Sequence, residues 1–149
     1  MEKVVYNDLY KFNFLSDVLY SPDGTHAVFV KSNASEEKNG YTSELWIIDT
    51  VSGEYKRLTS GGDERAPFWL DNNTVAFSTN RGKKPGKTSS VWYKISIDGG
   101  EAEKYLEIEE RISAIKPLGD GEYIVVSPKN CEGKPEEKPN QALEGRDLY

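Results

Sequence analysis

The chain has 149 residues, 36% hydrophobic and 30% charged, enough for one ordinary domain. Its aromatic content of 11% argues for a folded core over most of the length. A formal charge of −6 speaks against a nucleic-acid binder, because phosphate contacts need clustered Lys and Arg. The excess sits late: residues 101–149 carry 12 acids against 7 bases. It reads as solvated surface. The single cysteine, Cys131, excludes an internal disulfide.

The N-terminus lacks the apolar core and cleavage pattern of a signal peptide. No apolar run approaches the roughly 20 residues of a membrane helix. A soluble, cytoplasmic protein with neither a membrane nor a nucleic-acid partner is expected.

In residues 1–17, Leu9, Phe12 and Leu15 lie three apart. That spacing suggests one apolar face of a short helical turn, a lead-in that packs on the first strands. Strand-like patterning starts at Val18. A strand over 18–20, the turn Ser21-Pro22-Asp23-Gly24 and a strand over 27–30 make the first hairpin. SNASEEKNGYTS reads as a polar loop, followed by strands over 44–49 and 54–59 with a turn at Gly53 between them.

The pattern then recurs. Strands are expected over 66–70, 74–79, 91–98 and 101–106, with turns at Asp71-Asn72-Asn73 and Gly99-Gly100. A third copy begins with strands over 112–118 and 123–127. The turn aspartates 23, 71 and 120 are 48 and 49 apart, Trp46 and Trp92 are 46 apart, and Gly53 and Gly100 are 47 apart.

Four short strands per unit of this length mark a β-propeller blade. One four-stranded meander cannot cover its own apolar faces, and neighbouring blades cover each other. The expected fold is therefore all-β: a partial propeller of about two and a half blades in an incomplete ring. Blade 1 is placed at 18–62, blade 2 at 63–110, and an incomplete blade 3 with a flexible tail at 111–149.

Candidate chemistry is sparse. His26 is the one possible neutral-pH base and follows a surface turn, with no motif placing a Ser or carboxylate beside it. Cys131 lies in a Glu/Lys loop and reads as a free thiol. Asp23, Asp71 and Asp120 lack calcium-loop spacing and read as turn formers. Trp46 and Trp92 hold matching places in third strands and are expected in the packing between blades, with Trp69 more exposed. The loop NRGKKPGKTSS, with Arg81, Lys83, Lys84 and Lys87, only partly matches a phosphate loop and lacks its strand–loop–helix context. No catalytic, cofactor-binding or metal-ligating residue is assigned, and no cofactor is expected.

Leu9, Phe12, Ser16, Asp17 and Ser21–Gly24 fit a lead-in of the form LxxFxxxSDxxxSPDG. With ELWIIDTVSGEYKRLTSGG and ERAPFWLDNNTVAFSTNR, this order resembles the start of the propeller in the prolyl oligopeptidase family of serine peptidases. It resembles most the acylaminoacyl-peptidase and dipeptidyl-aminopeptidase branch, over about residues 8 to 128. The SPDG and LWxxD parts also occur in TolB-like propellers.

The resemblance implies a propeller that caps a C-terminal α/β-hydrolase domain and gates peptide substrate. It carries no triad onto this chain, which has no Gly-x-Ser-x-Gly elbow. Expected partners are that hydrolase domain, or other copies meeting through open blade edges. The alternatives are a TolB-like module binding protein or carbohydrate, and a self-assembling partial propeller.

Overall fold

The structure is a computed structural model that describes residues 5–83, 86, 88–119 and 121–128. A 3-10 helix, Tyr6–Lys11, leads into the first sheet. That sheet is an antiparallel meander of β1 (Asn13–Tyr20), β2 (His26–Ser35), β3 (Gly40–Asp49) and β4 (Tyr55–Arg57). The second holds β5 (Arg65–Trp69), β6 (Thr74–Ser78), β7 (Ser90–Ser96) and β8 (Glu103–Ile108), in the same order. The hairpin of β9 (Ala114–Gly119) and β10 (Glu122–Val126) forms a third, two-stranded sheet. Among the described residues, two four-stranded blades and two strands of a third make a partial β-propeller without a closed ring.

Two local expectations need correction. Leu9, Phe12 and Leu15 share no helical face: Leu9 lies in the 3-10 helix, Phe12 caps it, and Leu15 is already in β1. Strand pairing starts at Asn13, opposite Asn33, so backbone hydrogen bonds to β2 override the local three-residue spacing. The stretch SNASEEKNGYTS is mostly strand as well. The β2–β3 ladder runs out to Ser35 opposite Gly40, leaving residues 36–39 as the turn. Its side chains are polar because this part of the hairpin is partly or fully exposed, which makes its composition loop-like.

The repeat extends to backbone detail. β1 bulges between Ser16 and Leu19, and β5 between Arg65 and Phe68. Each bulge holds a residue at positive φ, Asp17 at 51° and Ala66 at 46°. Such a residue shifts the register and re-aims the strand.

The main core is the seam between the first two blades. Val28, Val30, Leu45, Ile47 and Leu58 pack against Val75, Phe77, Ile95 and Ile97. Val28, Leu45 and Val75 have no exposed surface at all. A smaller seam joins blades 2 and 3, where Phe68, Ala76 and Trp92 meet Ile112, Ile115 and Tyr123. The hydroxyls of Tyr105 and Tyr123 are hydrogen-bonded across it. Burial and this bond push the Tyr123 phenol up to about 12.

A polar strap ties the first seam where the chain passes between blades. Ser43 N–H donates to Gly62 O at 3.2 Å, and Glu64 N–H to Ser43 O at 3.3 Å. The Glu64 side chain is completely buried. Its carboxylate accepts from the N–H groups of Gly61 and Gly62 at 2.8 Å each, and of Asp63 at 3.2 Å. Gly61 leaves the space this needs, since a Cβ there would sit 2.2 Å from Glu64 Oε1. Asp63 in turn accepts from Thr79 Oγ1 and Asn80 N–H, both at 2.7 Å.

Glu64→Ala strands three N–H donors and is expected to cost about 2–4 kcal/mol in urea unfolding of the chain. Glu64→Gln keeps one acceptor oxygen and should lose distinctly less. Equal losses for the two would rule out the carboxylate strap.

Candidate functional site

The turns at one end of the blades are built from short polar side chains. Ser21 Oγ donates to Asp23 Oδ1 at 2.6 Å, and Thr25 N–H and Oγ1 reach the same oxygen at 3.1 and 2.9 Å. The Ser21 hydrogen bond and then the Thr25 N–H hold the Asp23 carboxyl below its usual range. Asp49 Oδ1 accepts from the N–H groups of Val51 and Ser52, both at 2.8 Å, which lowers that carboxyl too. Asp71 Oδ1 accepts from Asn73 N–H at 2.7 Å. Asp23 and Asp71 thus serve their own turns, while Asp120 lies outside the described residues.

His26 joins the same network. Its Nδ1 lies 2.9 Å from Thr25 Oγ1. The Thr25 hydroxyl spends its proton on Asp23, so it accepts from the imidazole. A nucleophile must instead give its proton to the histidine, so this pair has the wrong polarity for an activated hydroxyl. His26 lies beside Asp49, Glu54 and Asp98 in an open cleft of about 570 Å³ between blades 1 and 2.

Of the basic loop, Arg81 and Lys83 are described, whereas Lys84, Lys87 and Cys131 fall outside the described residues. Arg81 lies over the Tyr93 ring, 5.6 Å from its centroid.

The tryptophans part company. Trp92 is 3% exposed and packs in the seam between blades 2 and 3, as expected. Trp46 does not occupy the equivalent place. It pairs with Phe29 across β2–β3, and the matching pair in blade 2 is Phe77 with Tyr93. Trp92 instead pairs with Ser78 and matches Leu45, which pairs with Val30. The spacing of 46 is one residue short of the structural repeat in this strand, and a one-residue offset moves a side chain to the opposite face of a sheet.

Trp46 therefore lies on the face of blade 1 turned away from blade 2. Lys31 Nζ caps its ring at 4.6 Å, and the Tyr55 ring lies 6.0 Å away. The matching face of blade 2, carrying Phe77 and Ile95, is covered by blade 1. On blade 1 this face is open, and Leu15, Tyr20 and Tyr55 are each more than 60% exposed. Trp69 is half-buried, and its Nε1–H donates to Leu19 O at 3.0 Å, tying blade 2 to β1.

At the other end, Leu118, Ile124 and Val126 are exposed on the outer face of the β9–β10 hairpin. Among the described residues, two apolar sheet faces are thus left without a covering strand. Sequence reasoning missed the open face of blade 1 because it aligned the tryptophans by residue type. The signal was present in the 47-residue step between Gly53 and Gly100.

No family model matches the chain. It is 39% identical over 124 residues to the uncharacterized peptidase YuxL of Bacillus subtilis, a match covering 80% of this chain and 18% of that protein. Dipeptidyl-peptidase 5 of Aspergillus oryzae is 25% identical over 124 residues, covering 79% of this chain and 17% of that one. The structure superposes on Pyrococcus horikoshii acylaminoacyl peptidase with a TM-score of 0.61 and 21% identity, over 87% of this chain and 20% of that one. An acylaminoacyl peptidase in complex with Z-Gly-Gly-Phe-chloromethyl ketone gives a TM-score of 0.64 at 21% identity, over 89% and 20%. The chain thus spans about a fifth of the length of the proteins it matches.

Two measurements check this geometry. Trp92→Ala should cost about 3–5 kcal/mol, as expected for a buried ring, and Trp46→Ala clearly less; equal losses in urea melts would refute the assignment to opposite faces. Asp23 and Asp49 have lowered folded-state carboxyl pKa values, so their contribution is present above the unfolded carboxylate value of about 3.9. It is lost as pH falls through the lower folded values. Stability should drop below about pH 4, and Asp49→Asn should flatten that slope in unfolding titrations.

Proposed function

Because the chain belongs to the prolyl oligopeptidase family of peptidases, we propose that it is the N-terminal propeller part of a longer serine peptidase of the acylaminoacyl-peptidase type. The observation that carries this is the 39% identity to a peptidase more than five times as long as the matched region. In this reading the chain supplies no catalytic group. Its blades form part of a ring that restricts access to a C-terminal α/β-hydrolase domain, where acyl transfer by a Ser–His–Asp triad cleaves short peptides.

The two uncovered faces support the reading. The open face of blade 1, with Phe29, Trp46 and Tyr55, would seat the last blade of a closed ring. The outer face of the β9–β10 hairpin, with Leu118, Ile124 and Val126, would seat the next blade. Both repeat the kind of contact that joins blades 1 and 2. The same exposed faces favour one other reading, head-to-tail assembly of copies of this chain. Faces of different kind at the two ends make heterologous contacts, which either close into rings or run on as filaments.

The test is to express the coding region as it continues in the genome and to treat the product with a serine-directed fluorophosphonate. The longer protein should be labelled and should hydrolyse acylated aminoacyl substrates, while the 149-residue chain should not be labelled. A coding region that stops after Tyr149, together with a mass that rises with concentration, would replace the peptidase reading with self-assembly.

A further inference from the structure

We propose that the cleft between blades 2 and 3 is an anion-binding site that holds a ligand through a carboxylate or phosphate group. The cleft has a volume of about 750 Å³. Arg65, Lys83 and Arg111 line it, and among the described residues no carboxylate does. This is unexpected in a chain with 25 acids and 19 bases. The cleft beside His26, for comparison, has three carboxylates, Asp49, Glu54 and Asp98, against one lysine, Lys56.

The three cations are exposed, and among the described residues none of them is ion-paired, whereas Arg57 meets Glu44 at 3.4 Å and Lys94 meets Glu103 at 3.8 Å. Three unneutralised cations around one concavity raise the local concentration of anions.

The wall supplies a second, independent observation. Ser89 and Trp92 both line the cleft and are 7% and 3% exposed. Ser89 Oγ and Trp92 Nε1 are buried without a hydrogen-bond partner. Buried polar groups in native proteins are nearly always satisfied. Trp46 Nε1 is unpaired in the same way on the far face of blade 1, but here two such donors share one wall with the three cations, and a small movement of that wall would let them reach an acceptor in the cleft. An oxyanion is such an acceptor.

Arg65 and Arg111 open the segments that enter blades 2 and 3, so the two arginines line the cleft from neighbouring blades. The geometry fits a small group with several oxygens, because Arg matches carboxylate and phosphate with paired N–H donors.

The test titrates the isotope-labelled chain with inorganic phosphate and, separately, with succinate, against chloride at matched ionic strength. The expected result is a saturable shift of the Trp92 indole N–H and the Ser89 amide with one of the two oxyanions and not with chloride. The oxyanion that binds more tightly decides between a phosphate-bearing and a carboxylate-bearing ligand. The double variant Arg65→Gln, Arg111→Gln changes two exposed side chains and should fold. It should bind at least roughly tenfold more weakly, the loss of about 1.4 kcal/mol expected for removing charge-assisted bonds. Failure of both oxyanions to saturate, equal shifts with chloride, or unchanged affinity in the folded double variant would each overturn the proposal.

Discussion

A four-stranded antiparallel sheet has two faces, and in this protein both are apolar. The rest of the architecture answers the need to cover them. Blade 1 covers one face of blade 2 through Val28, Val30, Leu45 and Ile47, and the β9–β10 hairpin covers part of the other. At roughly 25 cal/mol per Å² of apolar surface, these seams are the largest source of stability among the described residues. The alternation of side chains along each strand decides which residues enter them.

The polar groups have a different task, which is to fix how one blade sits on the next. Glu64 gathers three N–H groups of the crossing segment, and Asp63 reaches across to Thr79 and Asn80. At the opposite ends, Asp23 N–H donates to Asn72 Oδ1 at 3.1 Å, so equivalent turns of successive blades are joined. Apolar packing is non-directional and tolerates sliding. These bonds specify one arrangement and so set the shape of the cleft between blades 1 and 2. The basic cleft owes its form to the second junction, between blades 2 and 3.

The family membership and the bare geometry meet at the ends of the molecule. Phe29, Trp46 and Tyr55 at one end, and Leu118, Ile124 and Val126 at the other, are surfaces of the kind that the interior seams bury. Among the described residues nothing covers either surface. The interior shows what such a cover looks like: Phe77, equivalent to Phe29, is 1% exposed beneath blade 1.

The blade architecture was legible in the order of residues, because turn chemistry is local. Ser-Pro-Asp-Gly, Asp-Asn-Asn and Gly-Gly each shape a turn through their own side chains or backbone freedom, and their recurrence at about 47 residues reports the repeat directly. The family was legible for the same reason, in the lead-in and strand motifs. Strand extent was not: Asn13 to Ser16 and Ser32 to Ser35 are strand because a partner pairs with them, and their composition carries no sign of it. Which face a tryptophan takes was decided by a single residue of register, and so only by the assembled ladder. The basic cleft was invisible in the sequence because Arg65, Ser89 and Arg111 come from three separate segments. Packing of blade on blade brings them together, and no local preference encodes that.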